Sequence, residues 1–157
     1  GMFVPDGYLA KFPHLDLMDD RWVIIVNRDN TLISDDLSLA DLERLQWVVI
    51  TFGTSIGSHP PVQQLERLGI RINAAVTVKS FLAVPPLVSG SNRIAIVQES
   101  LVTPYLDVLN LRIVPSPVSL VPLVQSLWWH PIHTSDPGHS WFVECCREAA
   151  IVITDPD

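Results

Sequence analysis

The sequence predicts an α/β domain built on a mainly parallel sheet, and three observations carry that prediction. Short runs of branched apolar residues at 21–26 (RWVIIV), 47–51 (WVVIT) and 93–97 (RIAIV) read as strands buried on both faces. Segments with helix-start chemistry separate them, so strands and helices alternate along the chain. Apolar residues make up 48% of the 157 and charged residues 17%, which allows one sizeable core and argues against global disorder.

The elements follow in order. Gly1 ahead of Met2 reads as a cloning remnant, and the opening to Asp20 reads as a loop punctuated by Pro5, Gly7 and Pro13. After the strand at 21–26 and a polar connection, Ser38 opens a short helix with Asp41 placed three residues on as in a capping box. The strand at 47–51 runs into a loop dense in Gly, Ser and Thr. Pro60 and Pro61 suit the first turn of a helix to about Leu68, which Gly69 stops. Residues 71–78 read as a strand, with Ser80 capping a helix that Pro85 and Pro86 should shorten or kink. The strand at 93–97 precedes a helix to about Leu109, with Pro104 in its first turn. Residues 111–114 and 119–129 are further strands, and 140–151 is the closing helix.

Several classes are excluded by composition. The net charge of −7 and a pI near 5.0 repel a polyanion, and no Lys/Arg cluster overrides that field, so these residues are no nucleic-acid module. The longest mainly apolar run, 118–129, is interrupted by Pro122 and Gln125 and falls short of the roughly 20 residues of a spanning helix. No basic region followed by an apolar stretch marks a signal peptide, so a cytoplasmic location is expected. Cys145 and Cys146 are neighbours, between which a disulfide would be strained; they read as small core-side residues in a reducing compartment.

The tail at 127–147, LWWHPIHTSDPGHSWFVECCR, joins a Trp-His-Pro step, an Asp-Pro pair and a Trp-led terminal helix. In that order these features resemble the end of the effector-binding (substrate-binding) domain of LysR-type transcriptional regulators. The unit at 77–100, TVKSFLAVPPLVSGSNRIAIVQES, resembles the strand-helix-strand element in the middle of that domain. The stretch at 36–53, DLSLADLERLQWVVITFG, resembles the start of its second lobe. The similarity spans about 21–150 and is nearest the nodulation-regulator-like branch. It implies a periplasmic-binding-protein-like (type II) lobe with a mainly parallel sheet and an incomplete first lobe. Residues 1–20 would be an N-terminal segment, 21–118 the second lobe with the outgoing crossover strand, and 119–157 the returning crossover strand and the C-terminal helix of the first lobe. The winged helix-turn-helix, the linker helix and the opening of the first lobe have no counterpart in these residues, so DNA contact is expected only through a part not present. Exposed edges on the two crossover strands are expected to pair with a second copy, giving a homodimer.

In open α/β sheets ligands bind beyond the carboxyl ends of the strands. Thr51, Gly53 and Thr54 lie at one such end, Ser80 and Phe81 at a second, and Gln98 at a third. Free N–H groups at helix starts there favour an anionic group. The resemblance implies the same cleft, with a small anionic or aromatic effector bound between lobes and no cofactor. Against this, Ser, Thr and Gly dominate caps and turns anyway, and Phe81 suits a core. A stand-alone small-molecule-binding or interaction protein on the same fold is the alternative.

Catalysis finds less support. Residues 53–57, GTSIG, formally match a nucleophile elbow, and His130, His133, Asp136 and His139 lie downstream. Yet Ser55 stands well past the strand end, and 58–61 delay the helix that an elbow needs. His130 and His133 invite a metal, but Pro131 between them disfavours a helix and no standard ligand spacing follows. No enzyme and no metal are therefore expected.

Overall fold

Strands buried on both faces need covers on both faces, and the computed structural model supplies them; it describes residues 1–5, 11–51 and 59–154. The chain divides into two compact units, Gly1–Asp20 with Pro122–Asp157, and Arg21–Val121.

In the second unit, five strands among the described residues pair in the order β5-β4-β6-β3-β7. These are β3 (Trp22–Asn27), β4 (Gln46–Ile50), β5 (Asn73–Val78), β6 (Arg93–Gln98) and β7 (Leu111–Val114). β4 is parallel to β5 and β6, while β3 is antiparallel to β6 and β7, so β3 alone runs against the rest. Val23, Ile25, Val48, Ile50, Ala95 and Val97 alternate onto one face, where Val84 and Val88 of α3 (Val84–Val88) complete a buried cluster. The intervening Ile24, Trp47, Val49 and Ile94 are equally buried. The Trp47 indole donates to the Leu42 carbonyl at 2.8 Å, tying α1 (Leu39–Arg44) to the sheet.

Local chemistry sets the helix ends. Ser38 and Asp41 form the capping box reciprocally at the start of α1. Pro60 and Pro61 open α2 (Pro60–Arg67), and Gly69 leaves it with φ of 84°. Two expectations fail here. Ser80 makes no side-chain cap bond, because Phe81–Ala83 form a 3-10 turn ahead of the proline-bearing α3. The helix after Gln98 is only α4 (Glu99–Val102); Pro104 lies in the 3-10 turn Thr103–Tyr105 that follows, and Asn110 at φ 51° redirects the chain into β7.

The first unit corrects the reading of residues 1–20 as a loop. β1 (Met2–Pro5) and β2 (His14–Asp20) both pair antiparallel with β8 (Leu123–Trp128), which lies between them. The expected exposed edges on the crossover strands are also absent: β8 is paired on both sides, and β3 is enclosed by β6 and β7. Trp128, 2% exposed, donates to the Val4 carbonyl at 3.1 Å and stacks on His14. The closing helix α5 (Pro137–Thr154) contacts β2 and begins at Asp136, whose carboxylate accepts from the Gly138 N–H at 2.8 Å.

Candidate functional site

The carboxyl ends of β4, β5, β6 and β7 share one edge of the second unit's sheet, and the start of β3 joins them because it runs the other way. Thr51, just past β4, is buried, and its N–H donates to the Val78 carbonyl at the end of β5 at 2.9 Å. Gln98 closes β6, is 8% exposed, and stands opposite Trp22 in the register. Ser80 and Phe81 follow β5; Ser80 is exposed and Phe81 half-buried. The structure thus brings Thr51, Ser80, Phe81 and Gln98 to one edge, while Gly53 and Thr54 lie outside the described residues.

Two further residues meet Phe81 there. His59, directly before α2, is 1% exposed and sits edge-on to Trp22 with ring centres 4.5 Å apart. Phe81 lies 5.5 Å from His59 and 6.0 Å from Trp22, measured between ring centres. The Nε1 of Trp22 and the Nε2 of His59 are buried and find no hydrogen-bond partner among the described residues. Buried polar atoms ordinarily do find one, so each is a place where a ligand atom gains by arriving. Burial pushes the His59 imidazole down to about 3, which keeps it neutral at working pH. Neither residue was evident from the sequence: Trp22 looked like the first apolar residue of a strand and His59 like part of a loop. The available signal was a histidine set directly before a Pro-Pro helix start.

Arg21 forms an ion pair with Glu99, and that hydrogen bond holds the Glu99 carboxyl below its usual range. The helix starts offer less to an anion than expected: Pro60 and Pro61 have no N–H to give, and α4 carries Glu99 in its first turn. Beyond Trp22, towards β7, a cavity of about 350 Å³ is lined by Trp22, Ile24, Ile113, Val114 and Pro115 among others.

The remaining candidates have structural surroundings. His130 Nδ1 accepts from the Ile132 N–H at 3.2 Å, capping the 3-10 turn Pro131–His133. No group of three or more His, Cys, Asp or Glu side chains is placed to hold a metal ion among the described residues. Ser55 and the rest of GTSIG lie outside those residues. Cys145 and Cys146 are free thiols, half-exposed on α5 rather than in the core. No helix among the described residues is long and apolar enough to cross a membrane.

A mixed sheet with one reversed strand, its loops gathered at the carboxyl ends of the parallel strands, is an architecture of the periplasmic-binding-protein-like class. The model of the LysR substrate binding domain matches residues 5–151, and the chain belongs to that family. Nodulation protein D 2 of Rhizobium tropici is 26% identical over 157 residues, covering 99% of this chain and 49% of that protein. The chain therefore spans about half the length of the curated relatives it matches. The probable transcriptional regulator PA0477 from Pseudomonas aeruginosa shares the fold with a TM-score of 0.82 at 20% identity, over 93% of this chain and 48% of its own. The effector binding domain of QuiR, in complex with shikimate, aligns with a TM-score of 0.71 at 18% identity, over 92% of this chain and 68% of that one.

Proposed function

We propose that this chain is the ligand-sensing region of a cytoplasmic LysR-type transcriptional regulator and binds a small effector at the carboxyl edge of the β5-β4-β6-β3-β7 sheet. The observation that carries the reading is the Trp22–His59–Phe81 cluster, with two buried nitrogens that lack partners among the described residues. Thr51, Gln98 and Ser80 add polar contacts, and Gly53 and Thr54 complete the set that the family resemblance implies. Of the two effector classes, the aromatic one fits better. Neutral His59 and the proline-blocked start of α2 give an anion little, whereas three rings give a flat apolar ligand faces and edges. Effector binding shifts the populations of a homodimer or larger oligomer, whose DNA contact is made by a winged helix-turn-helix outside these residues.

The test is a thermal-shift screen of small neutral aromatics against aromatic and aliphatic carboxylates, repeated on His59→Ala. Stabilisation by aromatics that His59→Ala loses supports the site; stabilisation that survives the substitution places binding elsewhere. On this reading the chain is no enzyme, and a generic aryl ester should hydrolyse no faster in its presence. Hydrolysis abolished by Ser55→Ala would reverse that.

A further inference from the structure

We infer that Gln64 is a positioning residue: it clamps the returning connection, 119–121, to α2, so that whatever acts on the His59 end of this helix is felt where the chain leaves the second unit. That a ligand acts on His59 rests on the function proposed above; the clamp itself does not. The chain passes between the two units twice, at Asp20–Arg21 and at Val121–Pro122. The stretch before the second passage belongs to no strand, since β8 begins only at Leu123, and Pro115, Pro117 and Pro122 remove backbone donors around it. Gln64 supplies a neighbour instead. Its Nε2 donates to the Ser119 carbonyl at 2.7 Å, and its Oε1 accepts from the Val121 N–H at 2.8 Å. A residue in a parallel ladder bonds its neighbour in this way, to one carbonyl and to the N–H two residues further on. The carboxamide carries the donor and the acceptor side by side that this pattern needs.

The start of α2 meets the first passage as well. His59 sits edge-on to Trp22, which follows Arg21 at the opening of the second unit, with ring centres 4.5 Å apart. The His59 carbonyl accepts from the Gln63 N–H at 3.1 Å, which fixes it to the turn that carries Gln64. His59 and Gln64 stand roughly 7.5 Å apart along the helix axis. Pro61, Val62 and Leu65 of the same helix are buried and hold it to its unit. Both stretches of chain that lead to the first unit are thus held by one short, rigid element. A ligand that shifts His59 against Trp22 moves α2 as a body, and Gln64 passes that movement to Ser119 and Val121.

Amide exchange followed by NMR on the full 157-residue chain tests the clamp without any ligand, as a cycle of substitutions at the two ends of its path. Gln64→Met keeps the length of the side chain and removes both bonds. The Val121 amide should then exchange roughly two- to tenfold faster, the range a single hydrogen bond accounts for, while amides inside α2 stay as they were. His59→Leu should change exchange at Val121 and in β8 in the natural chain, and should add nothing in the Gln64→Met background. His59→Gln repeats the cycle with a polar side chain, so the result does not depend on the leucine variant folding. A Val121 amide indifferent to Gln64→Met overturns the clamp. A His59 effect that is absent, or equal in both backgrounds, overturns the role of Gln64 in passing it on. Because no ligand enters the cycle, a failed thermal-shift screen leaves the clamp standing, and a failed cycle leaves ligand binding at His59 standing.

Discussion

His59 converts a local environment into a measurable acid sensitivity. Its imidazole titrates at about 3 in the folded chain instead of the ordinary 6.5, because burial penalises the charged form. The folded state therefore resists a proton that the unfolded chain accepts readily. Stability is complete above pH 6.5 and declines as the pH falls towards 3, by on the order of 1.4 kcal/mol per unit inside that window. Exposed Asp41, held at about 2 chiefly by its bond from Ser38, and Glu99, held low by Arg21, lose their contributions only towards the ordinary carboxylate range, so the interval from 6.5 to about 5.5 reports the histidine ahead of these two. Urea midpoints at pH 7.5, 6.5 and 5.5 should drop for the natural chain and change much less for His59→Leu. A slope that survives the substitution would place the sensitivity in another group. The sequence could not show this: His59 becomes buried only because α2 sets it against Trp22 and Phe81, which are distant in the chain.

At the scale of elements, legibility followed burial. β3, β4 and β6 are enclosed on both faces, so their apolar runs announce them. β2 was missed because its alternation is short and carries acidic residues, and a bulge between Asp16 and Met18 interrupts its period. The helix expected to reach Leu109 ends at Val102, because Pro104 falls inside its span and the chain continues as a 3-10 turn. Caps were read well, being local. Ser38→Ala removes the hydroxyl that accepts from the Asp41 N–H and should cost about 1 kcal/mol in denaturant unfolding. Gly69→Ala is a cleaner test of backbone alone, since an added Cβ meets nothing within 4 Å while φ stays at 84°. A loss of about 1 kcal/mol is expected; no loss would mean that the turn after α2 relaxes freely.

Across the whole molecule, stability is unevenly distributed. The second unit holds most of the fully buried apolar side chains, whereas the first, among the described residues, holds Leu123, Leu127, Trp128 and Ala150. Burying each such side chain stabilises by about 1.5–3 kcal/mol, so the first unit opens at a lower free energy than the second. Hydrogen exchange at low micromolar concentration should then show β3, β4 and β6 as the slowest amides, and β1 and α5 as much faster. Amides in β1 and α5 that exchange as slowly as those of β3, β4 and β6 would mean that the two units open together, whatever the difference in their buried side chains.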